Sequence, residues 1–158
     1  MGNGFSIKCK KCNMYHQRIM LGVGFFDAPY HFDLPPSENK DGWKKINDSK
    51  VLKDVEYLMK NKKAKFKYEQ DLPLYHGWKV YYSASDKSVF NLFYFELEYY
   101  ENDIKVKYVP DYKDKNGNDL IQVKGGDYSI YDYEILCPVC GSEIEDDIDD
   151  NIEFFYWD

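Results

Sequence analysis

At 158 residues the chain is long enough to bury a core without disulfide help, so its four cysteines are not needed as staples. Aromatic residues make up 18% of it, led by sixteen Tyr and ten Phe, a composition that suits half-buried pleated strands better than helices. No stretch of about 18 apolar residues occurs that could span a bilayer as a helix, and the net charge of −7 works against general attraction to polyanions.

The first residues, "MGNGFSIKCKKC", lack the apolar run of a signal peptide, so a cytoplasmic, reducing location and no membrane partner are expected. Gly2 and Ser6 match the bare myristoylation pattern. The same segment reads as a strand, however, and the bias towards Lys, Asn, Asp, Ile and Tyr is that of an AT-rich bacterial genome.

In chain order, residues 4–26 read as strand, Cys-containing turn, strand. A loop with Pro35 and Pro36 follows, which excludes a continuing strand or helix. The best helix covers 48–61, capped by Asp48 or Ser49, with Val51, Leu52, Val55, Leu58 and Met59 at helical spacing. From Gly77 the pattern becomes strands: "WKVYYSA", "SVFNLFYFELEYY" and "DIKVKYVPDYK", separated by the turns "SDK" and "END". "KDKNGNDL" carries an Asn-Gly turn signal, and "GGDYSIYDYEILC" is expected to be the strand entering the last cysteine pair.

Cys9, Cys12, Cys137 and Cys140 form two Cys-x-x-Cys pairs separated by 124 residues. In a reducing compartment such pairs point to metal before disulfides. Two residues between cysteines let both thiolates face one ion from a single tight turn, and two such turns supply the tetrahedron that Zn²⁺ prefers. An iron-bound version of the same site and two unrelated pairs of reduced thiols are the alternatives. His16, four residues after Cys12, is a further possible ligand, although its place in the outgoing strand favours a surface or packing role.

"CKKC" with "CPVCG", each at the tip of a strand hairpin, resembles the zinc ribbon family, in which two zinc knuckles face each other across one structural ion. The opening residues together with "LGVGFF" are similar to a group of short bacterial zinc-ribbon proteins. The resemblance covers roughly the first 26 and last 25 residues and implies a zinc-binding fold without an activity. Members of that group carry further cysteines after a strand like "WKVYY"; here Ser83-Ala84-Ser85-Asp86 stands in that place, the residue of a lost second metal site or an ordinary turn.

The expected fold class is therefore α+β: a zinc ribbon formed by N- and C-terminal hairpins, with an inserted helix and antiparallel β-sheet. A single domain, 1–158, would comprise ribbon halves at 4–26 and 127–146, an insertion at 27–126 and an acidic aromatic tail at 147–158. With four thiolates no coordination position is open to water, so one Zn²⁺ would be structural and the protein not an enzyme.

Other candidates for chemistry are weaker. Gly22-x-Gly24 lacks the following helix and Gly-Lys-Ser/Thr of a phosphate loop. His31 with Asp33, and His76 beside Trp78, have no nucleophile to complete a catalytic set. Residues 40–67 hold ten Lys against four acidic residues, and the run Lys60, Lys62, Lys63, Lys65 and Lys67, interleaved with Phe66 and Tyr68, is the one nucleic-acid-like feature.

After Cys140 the tail carries eight acidic residues and no Lys or Arg, and includes Phe154, Phe155, Tyr156 and Trp157. As a helix it would align Ile144, Ile148, Ile152 and Phe155, with Ser142 and Glu145 as a capping box; the other expectation is that the terminal aromatics close over the protein's own β-sheet. The expected function is a non-enzymatic zinc module that binds another protein. Nucleic-acid binding through Lys60–Lys67, or an acidic inhibitor acting through the tail, are the alternatives.

Overall fold

The computed structural model describes residues 2–22, 32–67, 76–124, 129–144 and 155–157. Helices and antiparallel sheets are mixed in the α+β manner, with strands predominating. The chain divides into two compact units, one of residues 1–21, 78–92 and 113–157 and one of residues 22–77 and 93–112.

The first unit begins with β1 (Gly2–Lys8) and β2 (His16–Leu21), an antiparallel hairpin whose register runs from Asn3 opposite Leu21 to Lys8 opposite His16. Period-2 alternation sends Phe5, Ile7 and Cys9 to one side, where they join Ile19 in a buried cluster. β9 (Phe155–Trp157) pairs antiparallel with the other edge of β1, placing Gly2 opposite Trp157 and Gly4 opposite Phe155. The end of the sequence is thus a strand on the first one, which rules out a tail helix running to Phe155. The tail positions 145–154 and 158, including Glu145, Ile148, Ile152 and Phe154, lie outside the described residues.

β4 (Gly77–Ser83) and β5 (Ser88–Tyr94) form a hairpin across a turn at 84–87, which contains the expected 85–87, and β8 (Ile121–Gln122) pairs with the far side of β4. Val80 and Val89 from this sheet enter the same cluster as Phe5 and Ile19, together with Ile130, Ile135 and Ile144. Between the two sheets, the Asn91 side chain acts as a piece of strand. Its Nδ2 donates to the Met20 carbonyl and its Oδ1 accepts from the Met20 N–H, both at 2.8 Å.

The expected strand before the second cysteine pair is not formed at 129–132, which is a 3₁₀ turn. Ile130 is buried from that turn and Tyr133 N–H closes it onto the Ile130 carbonyl. The chain then makes one bridge, Leu136 opposite Glu143.

In the second unit α2 (Ser49–Lys62) lies one residue further along than the expected 48–61, beginning and ending one residue later. The Asp48 side chain caps it by accepting from Lys50 and Val51 N–H, and Lys63 ends it in the left-handed region, φ 53°. Val51, Val55 and Leu58 are its buried stripe. A short helix α1 (Lys40–Trp43) precedes it and buries Trp43.

The run "SVFNLFYFELEYY" is not one strand. It breaks at Phe95-Glu96, and β6 (Leu97–Glu101) joins β3 (Lys65–Phe66) and β7 (Ile104–Tyr108) in a separate sheet ordered β3-β6-β7. Both residues at the break are buried. Phe95 packs edge-on to Trp43 at 5.4 Å, within an aromatic core where Phe32 stacks on Phe66 at 4.7 Å. Glu96, 2% exposed, is held by Lys107 Nζ at 2.5 Å, the Tyr94 hydroxyl at 2.6 Å and Lys67 Nζ at 3.5 Å. Burial pushes its carboxyl up, but the Lys107 and Tyr94 hydrogen bonds and the lysine charges outweigh it and the net shift is down.

No helix among the described residues is long and apolar enough to cross a membrane. Replacing Asn91 with Ala leaves the Met20 N–H and C=O without their partner. The expected cost is about 1–3 kcal/mol, read as a lower urea midpoint for loss of near-ultraviolet signal, and Asn91→Asp, which keeps an acceptor but no donor, should recover part of it.

Candidate metal centre

The two cysteine turns share a four-residue closure, and the first is one residue longer where the chain returns. After β1, Cys9 N–H donates to the Tyr15 carbonyl at 3.0 Å and Asn13 N–H to the Cys9 carbonyl at 2.9 Å. In the second turn Cys137 N–H donates to the Ser142 carbonyl and Gly141 N–H to the Cys137 carbonyl, both at 2.8 Å. The residue after each second cysteine lies in the left-handed region, Asn13 at φ 53° and Gly141 at φ 71°. Glycine adopts that region without strain and asparagine is among the few other residues that enter it readily.

In each pair the first cysteine is in the core and the second faces outwards: Cys9 and Cys137 are 1% and 2% exposed, Cys12 is half-buried and Cys140 exposed. The turns meet crosswise, with Cys9 Sγ 3.6 Å from Cys140 Sγ and Cys12 Sγ 3.7 Å from Cys137 Sγ. All four sulfurs lie within 4.8 Å of one another. A disulfide needs about 2.0 Å, whereas a tetrahedron with metal–sulfur bonds of about 2.3 Å has edges of about 3.8 Å. The spacing is therefore that of four thiolates around one cation.

The thiols are not electrostatically alike. A hydrogen bond from the Cys12 backbone favours the Cys9 thiolate, yet burial and the three neighbouring thiols prevail and push Cys9 up to about 11. Cys140 is brought down to about 6, first by the Ser142 hydroxyl and then by the Ser142 backbone N–H. Met14 occupies the position equivalent to Ser142 in the first turn, and its N–H reaches Cys12 Sγ at 3.4 Å. The Ser142 hydroxyl, 3.1 Å from Cys140 Sγ, is the extra donor of the second turn. Ser142, which the sequence suggested as half of a capping box, serves the cysteine turn in the described structure.

His16 is exposed in β2 and is not part of the cysteine group. His76 is 4% exposed and packs between Phe66 and Phe93 at ring distances of 5.4 and 6.4 Å, a core position. His31 and Gly24 lie outside the described residues, and Gly22 has a φ of 80° at the end of β2.

Three of the five lysines in the basic run are engaged by carboxylates. Lys60 pairs with Glu56 at 2.6 Å, Lys62 with Glu101 at 2.6 Å, and Lys67 with Glu96 at 3.5 Å and Glu98 at 3.7 Å. Lys63 and Lys65 are exposed. Tyr68 lies outside the described residues.

Ser83-Ala84-Ser85-Asp86 forms a turn of related shape with oxygen in place of sulfur. Ser83 is fully buried, Asp86 N–H points to its hydroxyl at 3.3 Å, and Lys87 follows in the left-handed region at φ 51°. Asp114 is what this turn closes on, a residue with no sequence signal beyond its place ahead of Asn-Gly. Its carboxylate accepts from Ser83 Oγ at 3.0 Å, Ser85 Oγ at 2.6 Å, Asn118 Nδ2 at 3.2 Å, and the N–H groups of Asn116 and Asn118 at 2.8 and 2.9 Å. The Ser85 hydrogen bond leads in holding the Asp114 carboxyl far below the usual range; burial opposes it, and the Asn118 and Ser83 bonds add to it. Lys87 also links this clasp to the second cysteine turn, since its carbonyl accepts from Leu136 N–H at 2.8 Å.

Comparison of the chain with protein-family models, curated proteins and solved structures gives no match.

Ser142→Ala removes one donor from the exposed thiolate. In the metal-free protein the pH midpoint for alkylation of Cys140 should rise from about 6 towards that of an ordinary thiol. In the loaded protein, loss of metal to a chromogenic chelator should quicken by about tenfold or more. Ser142→Thr, which keeps the hydroxyl, should restore both.

Proposed function

We propose that the protein is a non-enzymatic module in which Cys9, Cys12, Cys137 and Cys140 hold one structural Zn²⁺ and present a rigid surface to another protein, in a reducing, cytoplasmic setting. The observation that carries the metal reading is the grouping of four thiols within 4.8 Å, contributed by both ends of the chain. A tetrahedral set of four sulfurs suits zinc, and iron less commonly. Because all four positions are filled by protein, the ion's part is to stabilise, on the order of ten kcal/mol of folding free energy in comparable modules. Protein purified without chelator should contain close to one equivalent of zinc by elemental analysis. Less than about half an equivalent would count against the reading, as would a Cys137→Ser variant that binds metal and resists unfolding like the parent.

The protein-binding part draws on the apolar residues that the cysteine turns leave in solvent. Met14, 76% exposed, and Val139, 53% exposed, come one from each turn, beside the exposed Lys10 and Lys11. Exposed apolar residues on a scaffold fixed by metal are suited to recognition. The nucleic-acid alternative is weakened by the carboxylates on Lys60, Lys62 and Lys67. The acidic-inhibitor alternative must accommodate the pairing of Phe155–Trp157 with β1.

One capture experiment separates these readings. Partner recovery from nuclease-treated lysate should be lost with Met14→Asp/Val139→Asp and kept with Lys62→Glu/Lys63→Glu. The reverse pattern, together with nuclease sensitivity and a steep fall with salt, would select nucleic acid.

A further inference from the structure

The Asp114 clasp also encloses the dipeptide Asn116-Gly117. In an Asn-Gly pair the backbone nitrogen of glycine reaches the side-chain amide carbon of the asparagine with little obstruction, because glycine has no Cβ. Nothing lies within 4 Å of where a Gly117 Cβ would be, and both residues are exposed, so water has access and crowding gives no protection.

Hydrogen bonds hold the reacting groups apart. Gly117 N–H, the prospective nucleophile, donates to the Asp114 carbonyl at 3.0 Å. The Asn116 amide is turned across the clasp, its Nδ2 donating to Ser85 Oγ at 3.3 Å and Asp86 Oδ1 at 3.2 Å. Asn116 N–H is fixed on Asp114 Oδ1. The Asn116 side chain cannot fold back on its own backbone until these bonds open.

We propose that Asn116 is a spontaneous deamidation site which the Asp114 clasp keeps latent, and that its conversion prevents the clasp from closing again. The Gly117 nitrogen, losing its proton to solvent, attacks Asn116 Cγ. The Cγ–Nδ2 bond breaks and ammonia leaves, giving a five-membered succinimide. Water then opens the ring at either carbonyl to yield aspartate or isoaspartate. One water is consumed, one ammonia released, and nothing is oxidised or reduced.

The product opposes the native turn in two ways. A carboxylate has no N–H to offer Ser85 and Asp86, and it faces the Asp86 carboxylate where an amide donated before. Isoaspartate also adds a methylene to the main chain inside a turn defined by the Asp114–Asn118 and Gly117–Asp114 backbone bonds. Lys115, 3.2 Å from Asp86, offsets only part of the new charge. Each opening of the clasp thus carries a chance of irreversible loss, which goes beyond the metal reading and does not depend on it.

The test compares the full chain with a peptide spanning residues 112–120 in warm, mildly alkaline buffer, following the replacement of NH₂ by OH at residue 116 by mass spectrometry of digests. The intact protein should convert at least about tenfold more slowly than the peptide, as expected when reaction requires local opening. Ser85→Ala should raise the protein's rate several-fold, and so should urea below the unfolding midpoint, an arm that decides the matter if the variant does not fold. Equal rates in protein and peptide, or a protein rate indifferent to both perturbations, would overturn latency. An Asn116→Asp protein that melts at the parent's temperature would overturn the locking step.

Discussion

The fold depends on bringing two short turns together from opposite ends of the chain. Cys9 and Cys12 meet Cys137 and Cys140 across a separation of more than a hundred residues, and the first cysteine of each turn is already part of the apolar cluster around Phe5, Ile19 and Ile135. Closing so long a loop costs conformational entropy, though the cost grows only slowly with length. Apolar burial and strand pairing share that cost, since β9 also joins the end of the sequence to β1, at Gly2–Gly4, the strand end away from the cysteine turn. The sulfur group sits at the edge of a core, with two ligands inside it and two outside.

That division of the ligands explains the electrostatic asymmetry. Cys9 is surrounded by apolar residues and other thiols, so its proton is retained until a cation displaces it. Cys140 meets solvent and two donors from Ser142, so its thiolate is stable near neutral pH. A cation arriving from solvent would find the Cys140 thiolate ready and the Cys9 proton still to be displaced, which makes the exposed corner the natural place of first contact.

The sequence disclosed the parts whose information is local. Cys-x-x-Cys spacing named the four cysteines that come together, and Asp48 ahead of Val51, Val55 and Leu58 placed α2 to within a residue. The Asn-Gly pair marked a turn that is present. What escaped depended on distant partners. Phe95-Glu96 reads as the middle of a strand, yet Trp43 on one side and Lys67, Tyr94 and Lys107 on the other draw these residues out of the ladder. Lys62 and Lys67 read as free positive charge because Glu101, Glu96 and Glu98 lie about thirty or more residues along the chain, whereas the Lys60–Glu56 pair is local to α2; of the five donors to Asp114, the Ser83 and Ser85 hydroxyls are the distant ones. The tail's aromatic end joins the protein's own sheet, as its composition suggested, but its partner at residues 2–4 had no local sign.

The likeness between the serine turn at 83–87 and the two cysteine turns has a consequence for how the ion would be taken up. A buried first residue and a left-handed fifth recur in all three, although in the serine turn hydroxyls, carboxylates, asparagine amides and backbone groups meet in place of sulfur. This loop shape therefore forms without any cation in the serine turn, where hydroxyl and carboxylate hydrogen bonds hold it, and main-chain hydrogen bonds hold it in the cysteine turns. If the cysteine turns likewise form without one, each arrives at the ion already formed, and capture needs the meeting of two rigid pieces and not the folding of four separate ligands. The ion would then act as a rivet between finished parts, and its removal would separate the two turns before either one lost its shape.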